Sequence, residues 1–305
     1  MRSKLFSLIP ASQKIWDNKI LKQSEILLEG LKSSHVEGSS YLVCVPDIRC
    51  GIGHILAEWN AGYTLANLLN AEFVSLPIPQ YWDELLDFNA IALSFRNSKW
   101  KFRSIKRMYL PYIAFSTGPN EWDAYSAKLY KRINSEQLVY VLYDGQNLFD
   151  HSSSREYLRN RMWNSKLMKV FREVSKEEAI KMGGLKQLAV HIRRGDIVAN
   201  PRWSSRIVPT SWYKEQIENI CSSSNSKWCV NVFTQNLKED LNEELAGDWK
   251  LRIFNNHDAR ESFARISLAD AIVGSKSGFS YFSALYSRSH RSIFPRNFWH
   301  DTSAL

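Results

Sequence analysis

Two adjacent arginines, Arg193 and Arg194, belong to the run His-Ile-Arg-Arg-Gly-Asp at 191–196, directly after an apolar stretch that predicts a buried strand. Arginine presents a rigid fork of N–H donors that fits phosphate oxygens, and each charge-assisted hydrogen bond contributes about 1.5 to 3 kcal/mol. Open α/β sheets bind ligands at the carboxyl ends of their strands. The run therefore indicates a diphosphate site. The alternative is an ion pair of one arginine with Asp196 that only closes the end of the strand.

A second candidate is the turn Gly-Ser-Lys-Ser-Gly-Phe-Ser at 274–280, which follows a short apolar strand and opens a helix. Backbone N–H groups at the start of a helix, with serine hydroxyls beside them, form a ready anion site. Serine and glycine also cap helices for purely structural reasons. Taken alone, this turn is compatible with either use.

The third candidate is the turn Arg-Cys-Gly-Ile-Gly-His at 49–54, again between an apolar strand and a helix. Its glycines would let a ligand approach the backbone closely. It lacks the lysine of a phosphate-binding P-loop and the third glycine of the dinucleotide-binding fingerprint. Neither of those nucleotide-binding motifs is therefore predicted here.

Strand and helix patterns alternate along the chain, which predicts an α/β fold of parallel sheets with crossover helices. Predicted strands cover 41–45, 137–143, 187–192, 229–233, 250–254 and 271–273; predicted helices cover 55–69, 151–183, 210–220, 259–268 and 279–286. At 305 residues the chain is long enough for two such domains. We place a first domain at 1–165, a second domain at 166–290, and a tail at 291–305 that docks back on the body.

The charge and the composition of the chain limit the classes of molecule that it could bind. A net charge of +9 indicates an anionic substrate or partner. The basic run at 99–107 contains Trp and Phe and would suit nucleic acid or a membrane surface, although a solvated face with its aromatics in the core is favoured. No apolar stretch is long enough for a membrane span or a signal peptide, which predicts a cytoplasmic protein that is either free or bound at a membrane surface. Four cysteines are expected as free thiols, although Cys221 and Cys229 could pair in an oxidising compartment.

In this order and spacing, the three turns resemble the superfamily of bacterial α-1,2-fucosyltransferases, protein O-fucosyltransferases and rhizobial-type α-1,6-fucosyltransferases. That superfamily has a G-x-G-N turn first, H-x-R-R-G-D or H-x-R in mid-chain, and a strand ending in S-S-F-S or a similar run. The corresponding segments here are Gly-Ile-Gly-His at 51–54, the motif at 191–196, and Ser-Gly-Phe-Ser at 277–280. The resemblance covers most of 41–290, and the middle motif is the most specific.

The resemblance implies a GT-B-like architecture, in which two Rossmann-like domains face a central cleft. The domain at 1–165 would be on the acceptor side, and the domain at 166–290 would bind the sugar nucleotide. It also implies an inverting glycosyltransferase that needs no metal or other cofactor and moves L-fucose from GDP-fucose to a glycan hydroxyl. Arg193 would contact the β-phosphate and stabilise the leaving diphosphate, and His54 would accept a proton from the acceptor or simply cap its helix. The residues implied in donor binding are His191, Arg194, Asp196, Gly51, Gly53, Thr234, Asp258, Ser262, Ser275, Ser277, Gly278 and Phe279.

Two departures from the superfamily pattern leave the donor open. Ser262 stands where relatives often have an Asp, and Thr234-Gln235 replaces a common acidic residue. Both lie on the base and ribose side, so a UDP- or GDP-linked pentose or hexose is an alternative donor. A basic nucleic-acid-binding protein is the alternative from another class. Candidate acceptor contacts, with core packing or solvated carboxylates as the other interpretation, are Tyr81, Trp82, Trp100, Trp203, Glu58, Asp83 and Glu84.

Overall fold

The computed structural model describes residues 40–44, 46, 50–68, 71–75, 77–91, 93–94, 106–109, 138–142, 152–199, 201–236, 241–289, 291–296, 298, 300 and 305. Within these, two compact units are distinguished. The first unit takes its residues from Met1–Asp47, Glu58–Pro77 and Asn89–Asn147, and the second from Ile48–Ala57, Ile78–Phe88 and Leu148–Leu305. The predicted domains at 1–165, 166–290 and 291–305 remain a prediction.

A five-stranded parallel sheet forms the first unit, with the strand order β3-β2-β1-β5-β4. Its strands are β1 Tyr41–Cys44, β2 Glu72–Ser75, β3 Leu93–Ser94, β4 Lys106–Tyr109 and β5 Leu138–Leu142. Helix α1, Ile52–Leu68, follows β1 along the chain and lies against it at Gly62, where an added Cβ would be 2.6 Å from the Cβ of Cys44. The absence of a side chain at Gly62 therefore lets helix and strand approach closely.

The second unit contains another five-stranded parallel sheet, with the order β10-β9-β6-β7-β8. The strands are β6 Lys186–Ile192, β7 Trp228–Thr234, β8 Lys250–Asn255, β9 Ala271–Val273 and β10 Ser292–Ile293. Its helices are α2 Gln80–Leu86, α3 Ser152–Asn164, α4 Lys166–Lys181, α5 Gly195–Ala199, α6 Thr210–Ser222, α7 Leu241–Glu244, α8 Ala259–Leu268 and α9 Gly278–Leu285, with a 3-10 helix at Pro201–Arg206.

Both faces of the second sheet are buried, as a parallel sheet with crossover helices requires. Side chains alternate across a strand, and in β6 the side chains of Leu188 and Val190 pack on one face with Tyr213 and Ile217 of α6. Ala189 packs on the other face, in a cluster that includes residues of α8 and α9. The near-continuous apolar character of β6 and β7 follows from this burial on both sides.

The sequence-predicted strands and helices of the second unit are confirmed, most to within two residues at each end. The predicted helical stretch at 151–183 is divided by Ser165, which is the N-cap of α4 and accepts a hydrogen bond from the amide of Met168 at 3.1 Å. Sequence analysis missed the short elements α2, α5, α7 and β10 and the 3-10 helix of this unit, as well as β2, β3 and β4 of the first unit. Lys106 and Arg107 of the basic run are in β4, and the remainder of that run lies outside the described residues.

Two further findings concern sequence predictions. The four cysteines, Cys44, Cys50, Cys221 and Cys229, are free thiols, as expected. No helix in the described part of the chain is both long and apolar enough to cross a membrane.

An ion-pair network joins helix α4 to the second sheet. The Glu178 carboxylate accepts from both terminal nitrogens of Arg265, at 2.8 and 3.0 Å, and from Arg252 at 2.9 Å. These arginines are on α8 and β8, so one carboxylate holds three elements together. The hydrogen bonds from Arg265 lead the effects that lower the pKa of Glu178 to about 2.

Replacing Glu178 by Gln should lower the free energy of unfolding at pH 7 by on the order of 1 to 3 kcal/mol, because charge-assisted hydrogen bonds are lost. The folded-state pKa lies below the ordinary value of 4.5, so the contribution of Glu178 is present above pH 4.5 and lost as the pH falls towards 2. Urea denaturation at several pH values should therefore show wild type and E178Q converging below pH 4.5. The exposed neighbour Glu177, changed to Gln, is the control, and a difference that stays constant with pH would contradict the assignment.

Candidate functional site

The candidate site lies at the carboxyl edge of the second sheet. Strands β6, β7, β8 and β9 are parallel neighbours and end at Ile192, Thr234, Asn255 and Val273, so the segments that follow them emerge at one edge. Most of the residues that the sequence predicts for donor binding are in these four segments. The turn at 51–54 belongs to the same compact unit.

Arg193 is held in a defined orientation after β6. Its Nε and one terminal nitrogen donate to the Asp196 carboxylate, at 3.3 and 2.8 Å, and its other terminal nitrogen lies 3.4 Å from the carbonyl oxygen of Lys276. The side chain is 20% exposed, so the guanidinium is still accessible to solvent. The sequence analysis gave an ion pair with Asp196 as the alternative to a diphosphate site, and that ion pair is present between Arg193 and Asp196. It also aligns Arg193 beside the loop that follows β9.

Arg194 has a different environment. It is only 6% exposed, and its guanidinium donates to the carbonyl oxygen of Val208 at 3.2 Å and to Oγ1 of Thr210 at 3.0 Å. Thr210 is the first residue of α6, so Arg194 fastens the end of β6 to the start of that helix. Of the two adjacent arginines, Arg194 has the supporting position and Arg193 the accessible one.

His191 and three serines form a hydrogen-bonded chain below the site. The Nδ1 atom of His191 lies 2.9 Å from Oγ of Ser275, and the Oγ atom of Ser280 lies 3.3 and 3.2 Å from the carbonyl oxygens of Ser275 and Ser277, either of which can accept its single proton. Burial, together with the nearby charge of Arg193, lowers the pKa of His191 to about 3. His191 is thus neutral at physiological pH and orients the loop after β9 without adding charge to the site.

The first and third turns meet through their backbones. A Cβ added to Gly53 would lie 2.4 Å from the amide nitrogen of Phe279, and one added to Gly278 would lie 3.1 Å from the carbonyl oxygen of Gly53. Ser277 is the N-cap of α9, where its hydroxyl accepts from the amide of Phe279 at 3.2 Å. The N-termini of α1 and α9 are thereby brought together, and Gly51, which has no atom within 4 Å of its Cβ position, stands open beside them.

The ends of β7 and β8 form the other side of the candidate site. Thr234 is 5% exposed and its Oγ1 atom makes no hydrogen bond within the described structure, while its carbonyl oxygen accepts from the amide of Asn256 at 3.1 Å. Asp258 is the N-cap of α8 and also accepts a hydrogen bond of 2.7 Å from the hydroxyl of Tyr81. Ser262 is buried one turn further along α8.

The acceptor candidates are distributed among several environments. Trp82 packs edge-on to Phe263 and Phe279, with ring centroids 6.0 and 6.5 Å apart. Glu84 pairs with Arg260 at 2.6 Å, and the Arg260 guanidinium lies 3.8 Å from the ring centroid of Tyr81. These contacts attach α2 to α8.

The remaining candidates differ in placement. Trp203 is 37% exposed in the 3-10 helix, and Glu58 is buried in the first unit. His54 lies in the first turn of α1 and is partly buried. Trp100 lies outside the described residues. Among the side chains that the structure describes, no three of His, Cys, Asp and Glu are grouped in a way that could hold a metal ion.

Comparison with solved structures shows the fold. The fucosyltransferase POFUT1 in complex with GDP-fucose superposes with a TM-score of 0.52 and 14% identity, covering 84% of this chain and 98% of that chain. A mutant of Arabidopsis thaliana FUT1 in complex with GDP has a TM-score of 0.53 and 13% identity, with coverage of 90% and 76%. POFUT1 in complex with GDP gives 0.50 and 14%, with coverage of 85% and 99%. No protein-family profile and no curated protein sequence matches this chain.

The predicted fold class is therefore confirmed as an α/β, GT-B-like fold with parallel sheets, shared with these fucosyltransferases. The identities are low, so the likeness extends to the architecture alone.

The contact between the two glycine turns can be tested by substitution. Gly53→Ala places a methyl group 2.4 Å from a backbone nitrogen, so the free energy of unfolding should fall by about 1 to 3 kcal/mol. Gly51→Ala meets nothing within 4 Å and should cost less than about 1 kcal/mol. Chemical denaturation of both variants measures the difference. Equal stabilities would show that the close approach does not exist in solution.

Proposed function

We propose that this protein is a glycosyltransferase that takes its sugar from a nucleoside-diphosphate donor and transfers it to a glycan hydroxyl. GDP-fucose is the first candidate donor. The observation that carries the proposal is the convergence of Arg193 with the N-terminus of α9 at the carboxyl edge of a parallel sheet. The shared fold supports it, since the compared structures include complexes with GDP and GDP-fucose.

The proposed diphosphate site uses two kinds of donor. Arg193 supplies a positively charged fork beside Lys276, and the first amide of α9, at Gly278, supplies an N–H group of a helix start, since the Phe279 amide already donates to the Ser277 hydroxyl. Ser277 supplies a hydroxyl at the same point. In this proposal the loops that carry Arg193 and Ser277 are held in place by His191, Ser275 and Arg194. Asp196 orients Arg193.

The proposed reaction inverts the anomeric carbon. The acceptor hydroxyl attacks from the face opposite the diphosphate, the bond between sugar and phosphate breaks through an oxocarbenium-like state, and negative charge develops on the leaving diphosphate. Arg193 is the cation assigned to that charge, so the proposal requires no metal ion. His54 is proposed to take the acceptor proton, because it follows Gly53 at the contact with α9.

The nucleotide would extend from the diphosphate towards the ends of β7 and β8. Thr234 offers a buried hydroxyl there without a hydrogen-bond partner within the described structure, and Asp258 and Ser262 lie at the start of α8. A UDP-linked sugar is the second candidate donor, because none of these residues by itself fixes the base. We further propose a cytoplasmic protein with an oligosaccharide acceptor.

Replacing Arg193 by Ala should weaken GDP binding about 10- to 100-fold and slow transfer about 10²- to 10³-fold, because a preorganised charged donor is removed. Calorimetric titration with GDP, UDP, GDP-fucose and UDP-sugars in the presence of EDTA measures binding. Arg291→Ala is the matched control: it removes one charge before β10, where Arg291 donates to Ser223 at 2.6 Å, at the opposite edge of the sheet.

The outcomes separate the candidate functions. Binding of GDP by wild type and the control, but weakly by R193A, would support the GDP-sugar proposal. Selective binding of UDP would keep a glycosyltransferase and exclude fucose as its sugar. A wild-type protein that binds no nucleotide would overturn the donor site, and a dependence of binding on divalent cations would overturn its metal independence.

A further inference from the structure

The ring of Phe294 covers the first residue of the loop at 274–277, which joins β9 to α9. A Cβ atom added to Gly274 would lie 2.2 Å from Cε1 of Phe294 and 2.5 Å from its Cζ. Gly274 does not have a positive φ, so its backbone would accept an ordinary L-residue. The ring of Phe294, and not the backbone conformation, therefore requires a glycine at this position.

Sheet pairing sets the position of that ring. Strand β10 pairs in parallel with β9 and ends at Ile293, opposite Val273. The amide of Gly274 then donates to the carbonyl oxygen of Ile293 at 2.8 Å. Phe294 is the first residue after β10 and Gly274 the first after β9, so the two meet directly beyond the ends of the paired strands.

Phe294 also contacts the helix at the other end of the same loop. Its ring centroid lies 6.3 Å from that of Tyr281 in α9, with the two planes at 70°. Phe298 stacks on Phe294 with the centroids 5.5 Å apart and lies 5.9 Å from Tyr281. Tyr281 itself is fully buried. The ring of Phe294 is thus in contact with both ends of a loop of four residues, at Gly274 and at α9.

The candidate site depends on where this loop lies. The carbonyl oxygen of Lys276 lies 3.4 Å from the Arg193 guanidinium. The Ser275 hydroxyl lies 2.9 Å from Nδ1 of His191, and Ser277 caps α9. Because closely packed interiors transmit strain, a shift at the start of the loop would displace all of these groups.

We propose that Phe294 is a positioning residue of the donor site: by packing on Gly274 and Tyr281, it fixes the loop at 274–277 in the position that binds the diphosphate. This inference rests on the proposed function and deepens it. In this role Phe294 does not touch the donor. It restricts the conformations that the loop adopts without a ligand, and so reduces the entropy that is lost on binding.

The experiment is calorimetric titration of wild type, Gly274→Ala, Phe294→Val and the double variant with GDP, or with UDP if wild type prefers it. Gly274→Ala should weaken binding about 10-fold, because the loop must move to relieve the contact of the methyl group with the ring. Phe294→Val should weaken binding by a similar factor, since the loop is no longer fixed. In the double variant the methyl group no longer meets the ring, so the combined loss should be well below the product of the separate losses.

Gly247→Ala is the matched control. A Cβ atom added to Gly247 would also lie 2.2 Å from an aromatic ring, that of Trp249, but this contact precedes β8, at the edge of the sheet opposite the candidate site. Both glycine variants should unfold at a lower temperature without nucleotide, whereas GDP affinity should change less than about 2-fold in Gly247→Ala. If Gly274→Ala does not fold, Phe294→Val decides. Phe294→Leu replaces Phe294→Val if that variant does not fold.

Each result has one meaning. Weaker GDP binding in G274A and F294V, with a smaller than multiplicative loss in the double variant and an unchanged control, supports the assignment. Wild-type affinity in both variants, alongside weaker binding in R193A, overturns it and leaves the proposed function standing. An equal loss in G274A and G247A also overturns it, because affinity would then follow stability alone. Losses that multiply in the double variant overturn it too, since the two residues would then act independently. If wild type binds no nucleoside diphosphate, the proposed function fails and this inference fails with it.

Discussion

The backbone contact between Gly53 and Gly278 is the constraint on which the candidate site depends. The two helix N-termini that would face an anion can come this close only if neither turn has a side chain at the point of contact. Ser277 caps α9, and the serine chain that begins at His191 fixes the loop before it. The geometry around Arg193 is thus set by packing and hydrogen bonding before any ligand arrives.

Charge at this edge of the sheet is divided between supporting and exposed groups. The Arg194 guanidinium donates its hydrogen bonds to Val208 and to Thr210 at the start of α6. His191 is kept neutral because burial and the charge of Arg193 lower its pKa. Arg193 keeps an accessible guanidinium, although Asp196 holds it. Two neighbouring residues of one motif therefore perform opposite tasks, which residue type alone does not reveal.

The sequence predicted the strands of the second sheet well, because their apolar runs reflect burial on both faces. It also located the three turns, because glycine and serine between a strand pattern and a helix pattern are typical of turns. It missed α2. This helix is attached to α8 by hydrogen bonds of Tyr81 with Asp258 and of Glu84 with Arg260, and the partners are 177 and 176 positions apart in the chain.

The close approach of Gly53 to Gly278 also affects how the protein folds. More than two hundred positions of the chain separate them, Tyr81 and Asp258 stand 177 positions apart, and His191 and Ser275 stand 84 apart. Each of these contacts closes a long loop of the chain. The conformational entropy of loop closure is lost before the contact contributes favourable energy, so such contacts form late in folding. The loop at 274–277, between β9 and α9, is thus completed only after both ends of this unit's chain have been brought together. Affinity for the proposed nucleotide donor should therefore appear in the last kinetic step of refolding rather than the first.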